Sequence, residues 1–376
     1  RPGLLIYGTH QRATRDACVP LLGRMVYTVA IGLPLLGLFF LVLHFARPRP
    51  LGLLNPVPLR VIRARSVKEV DAFYRSLSYR WPPRGIVPAV ALNRLPRGLG
   101  ALGVHRKKSL FLRMILPMVL AADDALAKQR DFLLATYARP VPAPAGSRRY
   151  RTLRTIEHAY GLHGSPWSPA VRRRLLRRVD VVPVSLALAQ AAKESGWGTS
   201  YFARRGNDLF GMWTYEAEHG LPPRSLEDPT HYVRRFRDLE SSIVHYMEAI
   251  NTRPAFHRFR VLRARLRAAG RPLTARALVA GLALYSQQGE AYVAAIRAML
   301  LSLDARIRRV RLSLVPLRTL ADLRAAAHRG APLLPAPSTS GLPVVALERQ
   351  TVPFFARRLG LLRPGHAAGL LPPDRR

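Results

Sequence analysis

Hydrophobic and polar positions alternate along this chain in three distinct ways. From Met25 to Ala46 the sequence MVYTVAIGLPLLGLFFLVLHFA carries no charge and is bounded by Arg24 and Arg47. About 20 apolar residues cross a bilayer core as a helix, and Gly32, Pro34 and Gly37 are tolerated in such a helix. The run predicts one transmembrane helix. A cleaved signal peptide is the rival, but the stretch exceeds an ordinary apolar core of that kind and no A-x-A site follows in ARPRPLGLLNP. The arginines on its two sides are nearly balanced, so the positive-inside rule gives no orientation.

The second pattern is helical periodicity. Leu110, Ile115, Val119, Leu126 and Leu133 recur at helical spacings and predict a long helix over 105–138. A shorter helix is expected after Ser66 in VKEVDAFYRSLSYRW, and others through 241–250 and 277–286. A helix with Pro183 in its first turn should be capped by Asp180 or a neighbour. The third pattern is its absence. Residues 47–66 are rich in Pro and Arg and read as an extended linker. The stretch from Phe202 to Arg235 should be loop with at most a short hairpin. The tail containing APLLPAPSTSGLPV reads as a solvated end. The organisation expected is an N-terminal segment (1–24), the apolar helix (25–46), a linker and variable region (47–104), a leading helix and Pro-rich loop (105–149), a mostly helical domain (150–310) and a basic tail (311–376).

Composition changes this picture little. A hydrophobic fraction of 49% supplies a core. The formal net charge of +38, from 60 basic and 22 acidic residues, favours anionic partners. Lysine occurs only at positions 68, 107, 108, 128 and 193, and arginine is spread through every segment, a uniformity that also fits a compositional bias of the source genome. Cys18 is the only cysteine, so neither an intrachain disulfide nor a cysteine-based metal site can form. The histidines are scattered and no H-E-x-x-H is present, so no catalytic metal is expected. No Gly-rich nucleotide loop is present either, and no cofactor is expected.

The informative chemistry lies in VPVSLALAQAAKESGWGTSYFARRGNDLFGMWTY, residues 182–215. Glu194 falls in the last turn of a helix rich in small residues. Carboxylates are disfavoured there, because the C-terminal end of a helix carries partial negative charge. Trp197, Phe202, Phe210, Met212 and Trp213 follow closely. A carboxyl at a helix end among aromatics should have a raised pKa, as a general acid requires. The same pattern also fits an exposed Glu194 beside ordinary core aromatics.

Glu194-Ser195-Gly196-Trp197-Gly198-Thr199-Ser200, Phe202-Ala203-Arg204 and Gly206-Asn207-Asp208-Leu209-Phe210-Gly211 together resemble the glucosaminidase family of lysozyme-like hydrolases, glycoside hydrolase family 73, and within it the Bax-like membrane-anchored subgroup. The resemblance extends over roughly 105–305, through HRKKSLFLRMILPMVLAADDALAKQR, NTRPAFHRFRVLRARLR and LALYSQQGEAYVAAIRAML. It implies an α+β, predominantly α-helical, lysozyme-like catalytic domain. It also implies cleavage of the β-1,4 bond after N-acetylglucosamine in peptidoglycan glycan strands, with Glu194 as the general acid. Gln190, Trp197, Phe210 and Trp213 are then expected to line the glycan cleft, and Tyr285 to reach the acid and bind an acetamido group or orient water. Tyr292 reads as packing. A second carboxylate is the open question: Glu227 and Asp228 are favoured over Glu216 and Glu218. Asp208 stands where relatives often carry Asn and reads as a turn cap. Assistance by the substrate's own acetamido group is the alternative to any protein base. With a wall substrate, residues 47–376 are expected in the periplasm of a single-pass inner-membrane protein. The competing classes are a silent wall-binding scaffold on the same fold and a basic nucleic-acid binder. The latter lacks any recognisable reading module, and no nucleic-acid partner is expected.

Overall fold

The computed structural model describes residues 57–222, 231–307 and 312–320. The apolar run 25–46 and both Glu227 and Asp228 lie outside these residues. Among the described residues no helix is long and apolar enough to cross a membrane.

The architecture is mainly helical with short strands, an α+β arrangement. Helix α1 (Val67–Ser76) starts at Ser66, whose hydroxyl accepts from the Glu69 N–H while the Glu69 carboxylate accepts from Ser66, a reciprocal cap. Helix α2 (Val104–Tyr137) is the long helix that the periodicity predicts, and Leu110, Ile115, Val119, Leu126 and Leu133 are all in the core. Helices α3 (Arg148–Ala159), α4 (Pro169–Arg178) and α5 (Val184–Glu194) follow. Ser147 and Ser168 cap the first two through their hydroxyls. After α6 (Tyr201–Gly206) come α7 (Leu239–Thr252), α8 (His257–Ala268), the one-turn α9 (Ala275–Leu278) and α10 (Glu290–Ile307).

Strands β1 (Arg60–Ile62), β2 (Ile86–Pro88) and β3 (Val90–Leu92) lie in the region read as linker and variable sequence. From residue 57 onward that region is part of the fold. β1 pairs in parallel with β3, and β2 pairs in parallel with β7 (Ser313–Val315), so the first residues of the expected tail also belong to it. Ala89 joins the two ladders: its N–H donates to the Val315 carbonyl and its own carbonyl accepts from Arg60 N–H. Asp71 on α1 accepts from Arg106 and Arg113 of α2 at 2.9 and 2.8 Å. These contacts join residues far apart in sequence, so local periodicity carries no sign of them. The expected short hairpin between Phe202 and Arg235 is a three-stranded antiparallel ladder, β4 (Trp213–Thr214), β6 (Tyr232–Arg234) and β5 (Gly220–Leu221), with β6 in the middle.

The helix expected over 277–286 is broken. α9 gives way to a 3-10 turn at Val279–Leu282, and Tyr285 stands in the turn before α10. Within that 3-10 turn a Cβ at Gly281 would lie 2.5 Å from the Phe259 Cα, so α8 approaches more closely than any side chain permits.

At the centre lies α5. Every residue from Ser185 to Ala192 is buried, packed between α2 and α10. Its alanines allow that approach on all sides. The chain entering α5 is held by charge. Pro183 occupies the cap position, and Asp180 does not cap the helix. Asp180 instead meets Arg130, Arg263 and Arg267, at 3.2, 3.8 and 2.8 Å. Burial opposes its ionisation, but the three guanidiniums prevail and hold its pKa at about 2. Arg263 is itself 1% exposed and donates to the carbonyls of Arg177, Arg178, Asp180 and Val181 and to Asn251.

Replacing Arg263 with Leu strands these acceptors and a buried carboxylate. The unfolding free energy should fall by about 3–5 kcal/mol, whereas Arg265→Leu on the exposed side of the same helix should change it by roughly 0.5 kcal/mol or less. Equal effects in denaturant titrations would show that the buried cluster does not hold α5.

Candidate active site

Helix α5 stops abruptly after Glu194. The Trp197 N–H donates to the Ala192 carbonyl at 2.8 Å and the Gly196 N–H to the Lys193 carbonyl at 3.3 Å. This is a Schellman ending, and it requires a left-handed residue at Gly196. Here three successive residues are left-handed: Gly196, Trp197 and Gly198 have φ of 57°, 60° and 79°. Trp197 pays a steric cost for this that glycine does not. Ser195 locks the turn by donating to the Ala191 carbonyl and accepting from the Gly198 N–H. At Gly198 a Cβ would lie 2.8 Å from Leu99 and 3.1 Å from Phe111. The spacing Glu-Ser-Gly-Trp-Gly is therefore a backbone device that leaves Glu194 in the final helical turn.

Glu194 is half-buried, and its Oε1 is enclosed without a hydrogen-bond partner. Burial pushes its pKa above the ordinary carboxylate range, while a hydrogen bond with Tyr292 and the charge of Lys193 pull the other way. Desolvation thus causes the rise expected from the helix end and the aromatics. Lys193 does not point clear of the site; its ammonium sits 5.6 Å from the centre of the Tyr292 ring.

Around the carboxyl the side chains are tightly linked. Tyr246 on α7 donates to Gln190 Oε1 at 2.6 Å, and Gln190 Nε2 donates to the Tyr292 hydroxyl at 3.0 Å. Gln190 was expected to line the cleft, but it is fully buried and spends its amide on these two tyrosines. Phe210 was also expected on the cleft wall. Its ring is buried, stacked on Tyr246 at 3.9 Å. Tyr285 does come to this end of the molecule, stacked on Tyr292 at 5.3 Å, and its hydroxyl donates to the Phe210 carbonyl at 2.6 Å. Tyr292, read from sequence as packing, is the tyrosine bonded to the acid. Periodicity along α10 marks it only as an inward position, and its partners lie about a hundred residues away.

The loop after α6 closes the site from the other side. Asn207 is left-handed and its amide donates to the carbonyls of Phe236 and Arg237. Asp208 caps a turn, as its position in the sequence indicates, accepting from the N–H groups of Phe210 and Met212 at 2.9 and 2.7 Å. Burial raises its pKa to about 7 despite these bonds, with the Glu194 charge adding to the rise. Gly211 passes beside the acid: a Cβ there would be 3.9 Å from Glu194 Oε2. Trp213 is exposed and stacked on His231 at 4.2 Å. Trp197 is partly exposed, edge-on to Phe111 and under the Lys108 ammonium. Glu216 and Glu218 are exposed and flank His219 at 3.8 and 3.7 Å. Among the described residues no cluster of His, Cys, Asp and Glu could hold a metal ion.

A family model described as mannosyl-glycoprotein endo-beta-N-acetylglucosaminidase matches residues 170–304, from α4 to the last turn of α10. Protein bax of Escherichia coli (strain K12) is 34% identical over 194 residues, which cover 50% of this chain and 67% of that protein. The chain belongs to the glucosaminidase family. No solved structure gives a significant match. The family match contains Glu194 and all the side chains linked to it, and so points to a glycoside hydrolase.

The buried Asp208 has a thermodynamic signature. Its folded pKa of about 7 exceeds its ordinary value of 3.8, so folding favours its protonated form. That contribution is complete below about pH 4 and is lost as pH rises towards about 7. Asp123, buried and likewise raised to about 7, adds to the same slope. Asp208→Asn should flatten, without abolishing, the fall in unfolding free energy between these limits. An unchanged slope in denaturant titrations across that window would contradict the assignment.

Proposed function

We propose that the protein is a peptidoglycan hydrolase that cleaves the β-1,4 bond after N-acetylglucosamine, with Glu194 as its general acid. The observation that carries this reading is the placement of Glu194: a carboxyl with a raised pKa in the last turn of a buried helix, inside the glucosaminidase match. A carboxyl whose pKa is raised holds its proton more firmly and can give it to the leaving glycosidic oxygen as the bond from C1 to that oxygen breaks. Positive charge then develops on the sugar ring, and water, or first the substrate's acetamido oxygen and then water, attacks C1, the water's proton passing to a second carboxylate or back to the Glu194 carboxylate. The exposed Trp213 ring and the partly exposed Trp197 ring offer apolar faces to sugar rings. Tyr285, through its bond to the Phe210 carbonyl, fixes the loop that passes Glu194. Glu227 and Asp228 remain the proposed source of a second carboxylate. The net charge of +38 suits an anionic polymer as substrate.

Glu194→Gln keeps size and removes the transferable proton. In a reducing-end assay on purified peptidoglycan, kcat should fall by about 10²-fold or more with KM little changed. Mass spectrometry of wild-type products should find N-acetylglucosamine at the reducing ends. Near-normal turnover by a variant with native circular dichroism would remove Glu194 from the role; a folded wild type that binds peptidoglycan and releases no reducing ends would favour a wall-binding scaffold. Reducing muramic acid ends would place the cut at the other bond.

We further propose that residues 25–46 anchor the chain in an inner membrane with residues 47–376 in the periplasm. The uncharged run between Arg24 and Arg47 and the wall substrate support this. Alkaline phosphatase fused after residue 320 should be active; an inactive fusion alongside an active cytoplasmic reporter at the same place would contradict it.

A further inference from the structure

Gln190 is fully buried on α5, one helical turn before Glu194, and cannot touch a glycan. Its two contacts have different lengths. The 2.6 Å contact with Tyr246 suits O–H···O, and the 3.0 Å contact with Tyr292 suits N–H···O. The amide is thereby oriented: its oxygen accepts from Tyr246 and its nitrogen donates to the Tyr292 oxygen. A phenol that accepts from Gln190 has its own proton free for another acceptor, and the Glu194 carboxyl is bonded to it.

We propose that Gln190 is a positioning residue: locked by Tyr246, it commits the Tyr292 proton to Glu194 and so fixes how the Glu194 carboxyl is turned in the final turn of α5. The relay runs in one direction, Tyr246 to Gln190 to Tyr292 to Glu194, and joins three helices, α7, α5 and α10. Only α5 supplies both the amide and the acid, at positions i and i+4 of one face. This rests on the reading of Glu194 as the acid. The other groups that face Glu194 are Lys193 on its own helix, Asp208 in the loop after α6 and Tyr285 before α10. The variants below leave these three unchanged.

The test compares Gln190→Met, Tyr292→Phe and the double variant in the full protein. Two readouts are taken: the pH profile of glycan cleavage, and the titration of Glu194 followed by carboxyl carbon NMR. Loss of the Tyr292 hydrogen bond removes a contact that lowers the Glu194 pKa. The Glu194 titration and the high-pH limb of kcat should therefore both move to higher pH in each single variant. At the optimum kcat should fall about tenfold with KM unchanged. The double variant should match Tyr292→Phe alone, because both substitutions interrupt one relay. If Gln190→Met does not fold, Tyr246→Phe takes its place, with a smaller shift of the same sign that vanishes in the Tyr292→Phe background. Losses that multiply, or a Glu194 titration unmoved by the substitutions, would overturn the relay. A titration that moves while cleavage proves independent of Glu194 would support the relay and reject the catalytic reading.

Discussion

The N–H of Trp197 donates back across the end of α5 to the Ala192 carbonyl, and the chain leaves through three left-handed residues. That one termination decides what Glu194 can be. The turn runs so close to Leu99 and Phe111 that a Cβ at Gly198 would lie 2.8 and 3.1 Å from them. Because the helix stops, the carboxyl occupies its final turn, where backbone carbonyls disfavour an anion, and the surrounding side chains remove enough water to hold its pKa up. The helix can tolerate this because its other end is held by a compensated cluster, Asp180 with Arg130, Arg263 and Arg267.

The two ends of α5 illustrate opposite uses of burial. At the entrance, burial and attraction compete on one carboxylate, and three guanidiniums keep Asp180 ionised. At the exit, two carboxyls, the half-buried Glu194 and the buried Asp208, have few charges to balance them, and desolvation raises both. A structural charge needs partners that match it. A proton donor needs their absence. A protein with so many arginines could have placed one beside Glu194; the neighbours it has are instead phenols, an amide and a single lysine lying over the Tyr292 ring.

Much of this was legible in the sequence, and the failures have physical causes. The long helix α2, the buried small-residue helix α5 and the loop character of the segment after Phe202 followed from periodicity and glycine placement, and the family followed from the Glu-Ser-Gly-Trp-Gly-Thr-Ser stretch. The strands around Arg60 and Val90 did not, because each is three residues long and pairs across a large separation. Gln190 and Phe210 share the acid's neighbourhood in sequence, but a side chain near a cleft can point into the core beneath it. Tyr292 shows the converse: an inward position on a regular helix looks like packing until the helix against which it packs is known.

As the proposed general acid, the carboxyl at the end of α5 has to face the bond that is cut. A crystal structure of the Glu194→Gln variant with a bound peptidoglycan glycan measures this directly. The proposed role requires the amide at position 194 within hydrogen-bond reach, about 3 Å, of a glycosidic oxygen on the leaving side of an N-acetylglucosamine. A glycan bound with every glycosidic oxygen beyond that reach, or seated on another face of the molecule, would contradict it.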